Sequence, residues 1–185
     1  MTLPVTGSQT VGPYFRIGMA PLFREELAGP ETAGERVTIH GRVLDGDGKG
    51  VPDAQIEVWQ ADAQGQYIET ESVKETGFRG FGRVATNDRG DFRISTIKPG
   101  SVAGPDNWVQ APHLVVLVFM RGLLRHLVTR IYFAGEAANE SDPILKVVPA
   151  ERRHTLMAQP EKAEATRFAW NVRLQGDDET VFFEV

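Results

Sequence analysis

Four histidines are the side chains of this sequence best suited to hold a metal or move a proton: His40, His113, His126 and His154. Two imidazoles two residues apart on a strand point to the same side and can share a cation, and pairs at helical spacing can do the same. None of the four has such a neighbour; His126 lies thirteen residues beyond His113. There is no cysteine, which excludes disulfides, thiolate catalysis and sulfur-bound zinc or iron–sulfur centres. No serine stands in a nucleophile elbow. Asp45, Asp47 and Asp53 crowd one turn that lacks the closing glutamate of a calcium loop, so they read as a solvated turn. Arg121 stands where an apolar strand meets a glycine. A guanidinium there can reach a cleft and favour a carboxylate by charge and paired hydrogen bonds. Gly12-Pro13 makes a rigid, narrow stretch of backbone able to lie against a flat aromatic ring. Taken alone, Arg121 reads better as an exposed strand-end charge, and Gly12-Pro13 as an ordinary turn.

The elements around these residues are mostly strands. In VTIHGRVL (37–44), Val37, Ile39 and Val43 share one face at period two, and AQIEVWQ (54–60) returns after the glycine-rich turn DGDGKG. FGRVAT (81–86) and DFRIST (91–96) form a second strand–turn–strand unit. The apolar run LVVLVFM (114–120) is too short to span a bilayer and suits a central buried strand. LVTRIYF (127–133) alternates, with Arg130 and Tyr132 on the face opposite Thr129, Ile131 and Phe133. RFAWNVRL (167–174) and TVFFEV (180–185) read as a closing hairpin. Short helices are expected over 21–29 and 149–158, the second with Pro149 in its first turn. Residues 1–14 read as an extended arm. The expected architecture is mainly β: an antiparallel β-sandwich with long loops and a few short helices. Residues 1–36 form an arm and short helix, and residues 37–185 form a single domain. With 185 residues and a net charge of -5, the chain suits one well-filled domain and shows no basic cluster for nucleic acid. The first residues carry neither a basic start nor an apolar run, so a cytoplasmic location is expected.

Residues 37–67 and 77–100 resemble the scaffold of the intradiol ring-cleaving dioxygenases. That resemblance implies a ferric site of two tyrosines and two histidines, hard anionic oxygen donors suiting a hard cation. It also implies a catechol bound as a dianion and opened by dioxygen between its hydroxyl-bearing carbons. Tyr67, in WQADAQGQY, and His113, in APHLVVLV, match two ligand positions. Val102, after IKPG, and Val115 occupy the other two. Two ligands cannot fix a ferric ion, so the resemblance implies that this chain itself binds no metal.

The segments GSQTVGPYFRIGM, APHLVVLVFMRGL, TRIYFAGE and PAERRHTLMA narrow the likeness to the metal-free subunits of heteromeric members of the family. Such a resemblance implies an iron-bearing beta subunit as partner, with Fe(III) held there, and αβ units gathered into a larger closed assembly. The implied reaction cleaves 3,4-dihydroxybenzoate with O2 to 3-carboxy-cis,cis-muconate in aromatic catabolism. It implies that the arm residues Thr10, Gly12, Pro13 and Tyr14, together with Arg121, form part of the wall of the partner's site. Tyr67, Val102, His113, Val115, Arg130 and Tyr132 would then line a vestigial site, where Arg130 can fill the vacated space with positive charge. Two other functions are open at this point: a transthyretin-like binding module without chemistry, and a self-sufficient dioxygenase with a rebuilt metal site.

Overall fold

Alternation at period two builds the layers of the fold. In the computed structural model, residues 5–68 and 77–184 are described. Among them run eleven strands: β1 (Arg36–Leu44), β2 (Gln55–Gln60), β3 (Phe81–Ala85), β4 (Asp91–Ile97), β5 (Val102–Ala103), β6 (Val109–Gln110), β7 (His113–Phe119), β8 (Leu127–Phe133), β9 (Met157–Glu161), β10 (Glu164–Ala169) and β11 (Val172–Arg173). Two short α-helices, α1 (Pro13–Met19) and α2 (Pro143–Val147), accompany them.

One layer is the antiparallel run β3-β2-β7-β8. The other holds β4 antiparallel to β1, with β10 and β11 parallel to β1. Strand β9 joins the two: Met157 and Ala158 pair in parallel with Tyr132 and Phe133 of β8, and Gln159 to Glu161 pair with β10. Val37, Ile39 and Val43 from one layer meet Ile56, Val58, Val116 and Ile131 from the other in a single core. Each such fully buried aliphatic side chain contributes roughly 1.5–3 kcal/mol. The expected sandwich is present, with the refinement that three of its pairings are parallel.

Several local expectations are corrected. Residues 21–29 form no α-helix. A single 3-10 turn spans Ala20–Leu22, and the chain then runs between the exposed edges of both layers. Arg24 N–H donates to Arg83 O at 2.7 Å on β3, and Leu27 N–H donates to Ser95 O at 2.9 Å on β4. Those edge carbonyls need donors, and a helix would have kept the donors to itself. The helix instead forms earlier, from the last two residues of the arm read as extended onward, where Pro13 takes the first helical position after Gly12. Residues Ala150–Leu156 form 3-10 turns with Pro149 just outside them, because Met157 is already committed to β8.

The stretch 167–174 is not one strand. It breaks between β10 and β11, where Trp170 N–H donates to His40 O at 2.9 Å. A Cβ on Gly41 would lie 1.6 Å from Trp170 O, so only glycine admits this crossing. The hairpin with 180–184 is correspondingly slight: Thr180 N–H donates to Arg173 O at 2.8 Å, and Phe183 then bridges to Val128. Val185 lies outside the described residues.

Candidate functional site

Strands β7 and β8 position the first group of candidate residues. Leu114, Val116 and Val118 of β7 and Ile131 and Phe133 of β8 face the core, so His113, Val115, Arg130 and Tyr132 take the opposite face. The register sets His113 across from Tyr132 and Val115 across from Arg130. Val102 of β5 pairs with Gln110 of β6, and Gln110 Oε1 accepts from Arg130 Nη1 at 2.7 Å. The same nitrogen lies 3.3 Å from Tyr132 Oη, which donates to Asp142 Oδ1 at 3.3 Å. Tyr67 completes the group: it is half exposed and lies near enough to feel the Arg130 charge. All six residues expected around a vestigial site are therefore tied to one patch by register, hydrogen bonds or charge.

The electrostatics of this patch are set by burial and by Arg130. Burial, reinforced by the Arg130 guanidinium, holds the His113 imidazole down at about 4. His113 is neutral at pH 7, and its Nδ1 carries the proton because it lies 2.7 Å from the Ala111 carbonyl, which can only accept. Burial, aided by the Asp142 carboxylate, pushes the Tyr132 phenol far up against the opposing pull of Arg130. Burial likewise raises the Tyr67 phenol, with Arg130 pulling it down. Both phenols are thus protonated at neutral pH.

The donor set does not fit a ferric ion. Tyr132 is bound to Asp142, and Asp142 is engaged by the backbone N–H groups of Ala111, Ile144 and Leu145 at 2.7–2.8 Å. What is left is one imidazole nitrogen and one half-exposed phenol beside a fixed guanidinium. Among the described residues, no three histidine or acidic side chains form a group able to hold a metal. The other histidines are scattered: His40 Nε2 pairs with Glu161 at 3.0 Å, His126 stacks on Phe119, and His154 faces Asp178 at 3.5 Å. Asp45 accepts from the Asp47 and Lys49 N–H groups and closes its own turn, as read from sequence.

The arm and Arg121 meet at the other end of β7. Gly122 N–H donates to Thr10 Oγ1 at 2.7 Å, which fastens the arm to the turn after the strand. Gly12, Pro13 and Arg121 line one cavity of about 280 Å³ beneath α1, with Phe119, Asp53 and Gln55 as its floor. Arg121 Nε forms an ion pair with Asp53 Oδ2 at 2.8 Å. Tyr14 does not join them; it is 85% exposed on the outer side of the helix.

Three partners of these residues escaped the sequence reading. Asp142 had a legible signal, an aspartate immediately before a proline at a helix start, and it caps α2. Gln110 and Asp53 had none, because their partners Arg130 and Arg121 lie 20 and 68 positions away.

Comparison with known proteins follows the same lines. A family described as "Dioxygenase" matches residues 11–176. The chain is 46% identical to the protocatechuate 3,4-dioxygenase alpha chain of Burkholderia cepacia, covering 100% of this chain and 99% of that one. It is 32% identical to the beta chain of the same enzyme from that organism, over 96% of this chain and 78% of the relative. Among solved structures, the dioxygenase domain of a carbohydrate-binding fusion protein from Streptomyces sp. SirexAA-E superposes with a TM-score of 0.67 at 26% identity, over 86% of this chain and 89% of that one. No helix among the described residues is long and apolar enough to cross a membrane. A two-layer sheet matching a solved dioxygenase domain, together with near-complete sequence correspondence to an alpha chain, places the molecule: the chain belongs to the intradiol ring-cleavage dioxygenases.

Proposed function

We propose that this chain is the metal-free subunit of a heteromeric dioxygenase that opens 3,4-dihydroxybenzoate with O2 to 3-carboxy-cis,cis-muconate. Ferric iron is held by a beta-type partner, and both oxygen atoms of O2 enter the product. The reading is supported by the full-length likeness to an alpha chain of protocatechuate 3,4-dioxygenase and by the weaker likeness to its beta chain. The observation that carries it is Arg130, a guanidinium fixed by Gln110 and Tyr132 where the family's ligand pattern needs room for a cation.

In this reading the chain shapes a site it does not own. Thr10 holds the arm, Gly12 and Pro13 offer a flat backbone wall to an aromatic ring, and Arg121 faces the substrate carboxylate. Tyr14 and Ile17, exposed on α1, belong to the surface that meets the partner. The αβ units work in the cytoplasm and assemble with closed symmetry.

The test is to express the chain with and without a beta-type partner, then measure iron by elemental analysis and oxygen uptake with protocatechuate. The expected result is iron and oxygen uptake only in the co-expressed complex. Stoichiometric iron in the chain alone would favour a self-sufficient enzyme. A stable monomer that ignores the beta-type partner would favour a simple binding module.

A further inference from the structure

We infer that Asp53 is a positioning residue for carboxylate recognition: it holds Arg121 in the orientation that selects a carboxylated catechol over a plain one. The inference rests on the proposed role of Arg121 and deepens it. An arginine at a strand end has a long, freely rotating stem, and its charge alone selects weakly because water screens it. Arg121 is 70% exposed on its side chain, so its own packing does not fix it.

Asp53 supplies what is missing. Its side chain is 27% exposed, and its Oδ2 forms an ion pair with Arg121 Nε at 2.8 Å. That contact is made by the nitrogen nearest the stem, and neither terminal nitrogen of the fork makes a hydrogen bond among the described residues. A guanidinium held at Nε presents those two donors side by side, the arrangement that grips a carboxylate with two parallel hydrogen bonds. The turn carrying Arg121 is tied to the arm independently, through the Gly122–Thr10 bond.

The surroundings give Asp53 few other duties. Its Oδ1 is buried and has no hydrogen-bond partner, as does Gln55 Oε1 in the same cavity. Gln55 is 1% exposed, and its amide nitrogen is committed to Glu57 at 3.1 Å, which turns its oxygen away from Glu57. Two unmet acceptors therefore belong to residues that line the cavity. They leave Arg121 as the one described ion-pair partner of Asp53 and make the floor hostile to a carboxylate. A carboxylate entering beside the arm is thus steered to the arginine and away from the floor.

The test uses the co-expressed αβ complex and the ratio of kcat/KM for 3,4-dihydroxybenzoate to that for catechol, which lacks the carboxylate. Arg121→Gln and Asp53→Ala should each lower that ratio about ten-fold, the scale of one lost charge-assisted contact. The loss should appear in KM, with kcat largely kept. Asp53→Asn, whose amide oxygen keeps a polar atom beside Nε, should restore part of it. Calorimetric binding of 4-hydroxybenzoate against phenol should show the same pattern without turnover. If Asp53→Ala weakens both substrates equally, or neither, while Arg121→Gln lowers the ratio, the positioning role is wrong and the arginine role stands. If Arg121→Gln leaves the ratio unchanged, the proposed arginine role fails and takes the inference with it. Subunit stoichiometry and thermal midpoint of each complex separate these outcomes from simple misfolding.

Discussion

Val115 on β7 stands directly across from Arg130 on β8, so the residue proposed to stand at a lost ligand position faces a guanidinium. The apolar side chain offers no donor, and the charge is fixed by Gln110 and Tyr132. A cation approaching this patch meets repulsion of roughly 4 kcal/mol per unit charge at 4 Å, for an effective dielectric constant near 20. In the proposed reading, missing ligands and an added charge act in the same direction.

Restoring ligands alone should therefore fail. The double variant Val102→Tyr, Val115→His should bind no ferric iron while Arg130 remains. Adding Arg130→Gln should give iron detectable by elemental analysis and a visible tyrosinate-to-iron absorption band. Equal iron in the double and triple variants would show that Arg130 is no barrier.

Acid should destabilise the fold through His113. Its folded value, about 4, lies below the ordinary 6.5, so the unfolded chain binds the proton more readily. The contribution is complete above about pH 6.5 and is lost as pH falls toward 4. Wild type should lose roughly 2–3 kcal/mol more than His113→Asn in urea unfolding between pH 7.5 and pH 4.5, at 1.36 kcal/mol per unit. Parallel pH curves for the two proteins would contradict the buried neutral imidazole.

Asp142 should matter more than its distance from any substrate suggests. Its buried carboxylate accepts from the N–H groups of Ala111, Ile144 and Leu145 and from Tyr132 Oη. Asp142→Ala should cost roughly 3 kcal/mol or more, because buried backbone donors lose their acceptor. Asp142→Asn should cost less. Chemical denaturation of the three proteins measures the order.

Gly41→Ala should be among the most damaging single substitutions in β1. The added carbon meets Trp170 O at 1.6 Å, and the neighbouring backbone bond from Trp170 N–H to His40 O has no room to shift without breaking. A loss of more than about 3 kcal/mol is expected, beyond the usual range of overpacking. Thermal melting followed by the fluorescence of buried Trp170 reports it.

The strand pattern was legible because burial on a sheet follows alternation: Val37, Ile39 and Val43, or Leu114, Val116 and Val118, need only be counted in twos. The candidate ligand positions Tyr67, Val102, His113 and Val115 could be named from the order of residues together with the family likeness. What the order of residues could not decide was anything settled by a distant partner. Residues 24–28 look helical in isolation and become extended because the edges of β3 and β4 require their donors. Residues 167–174 look like one strand and divide because Trp170 must cross over Gly41. Asp53 and Gln110 carry no local signal, yet they fix Arg121 and Arg130. Side-chain type and spacing determined the strands and the family likeness. Contacts between residues far apart in sequence, which only closure of the two layers creates, decided where its charges stand.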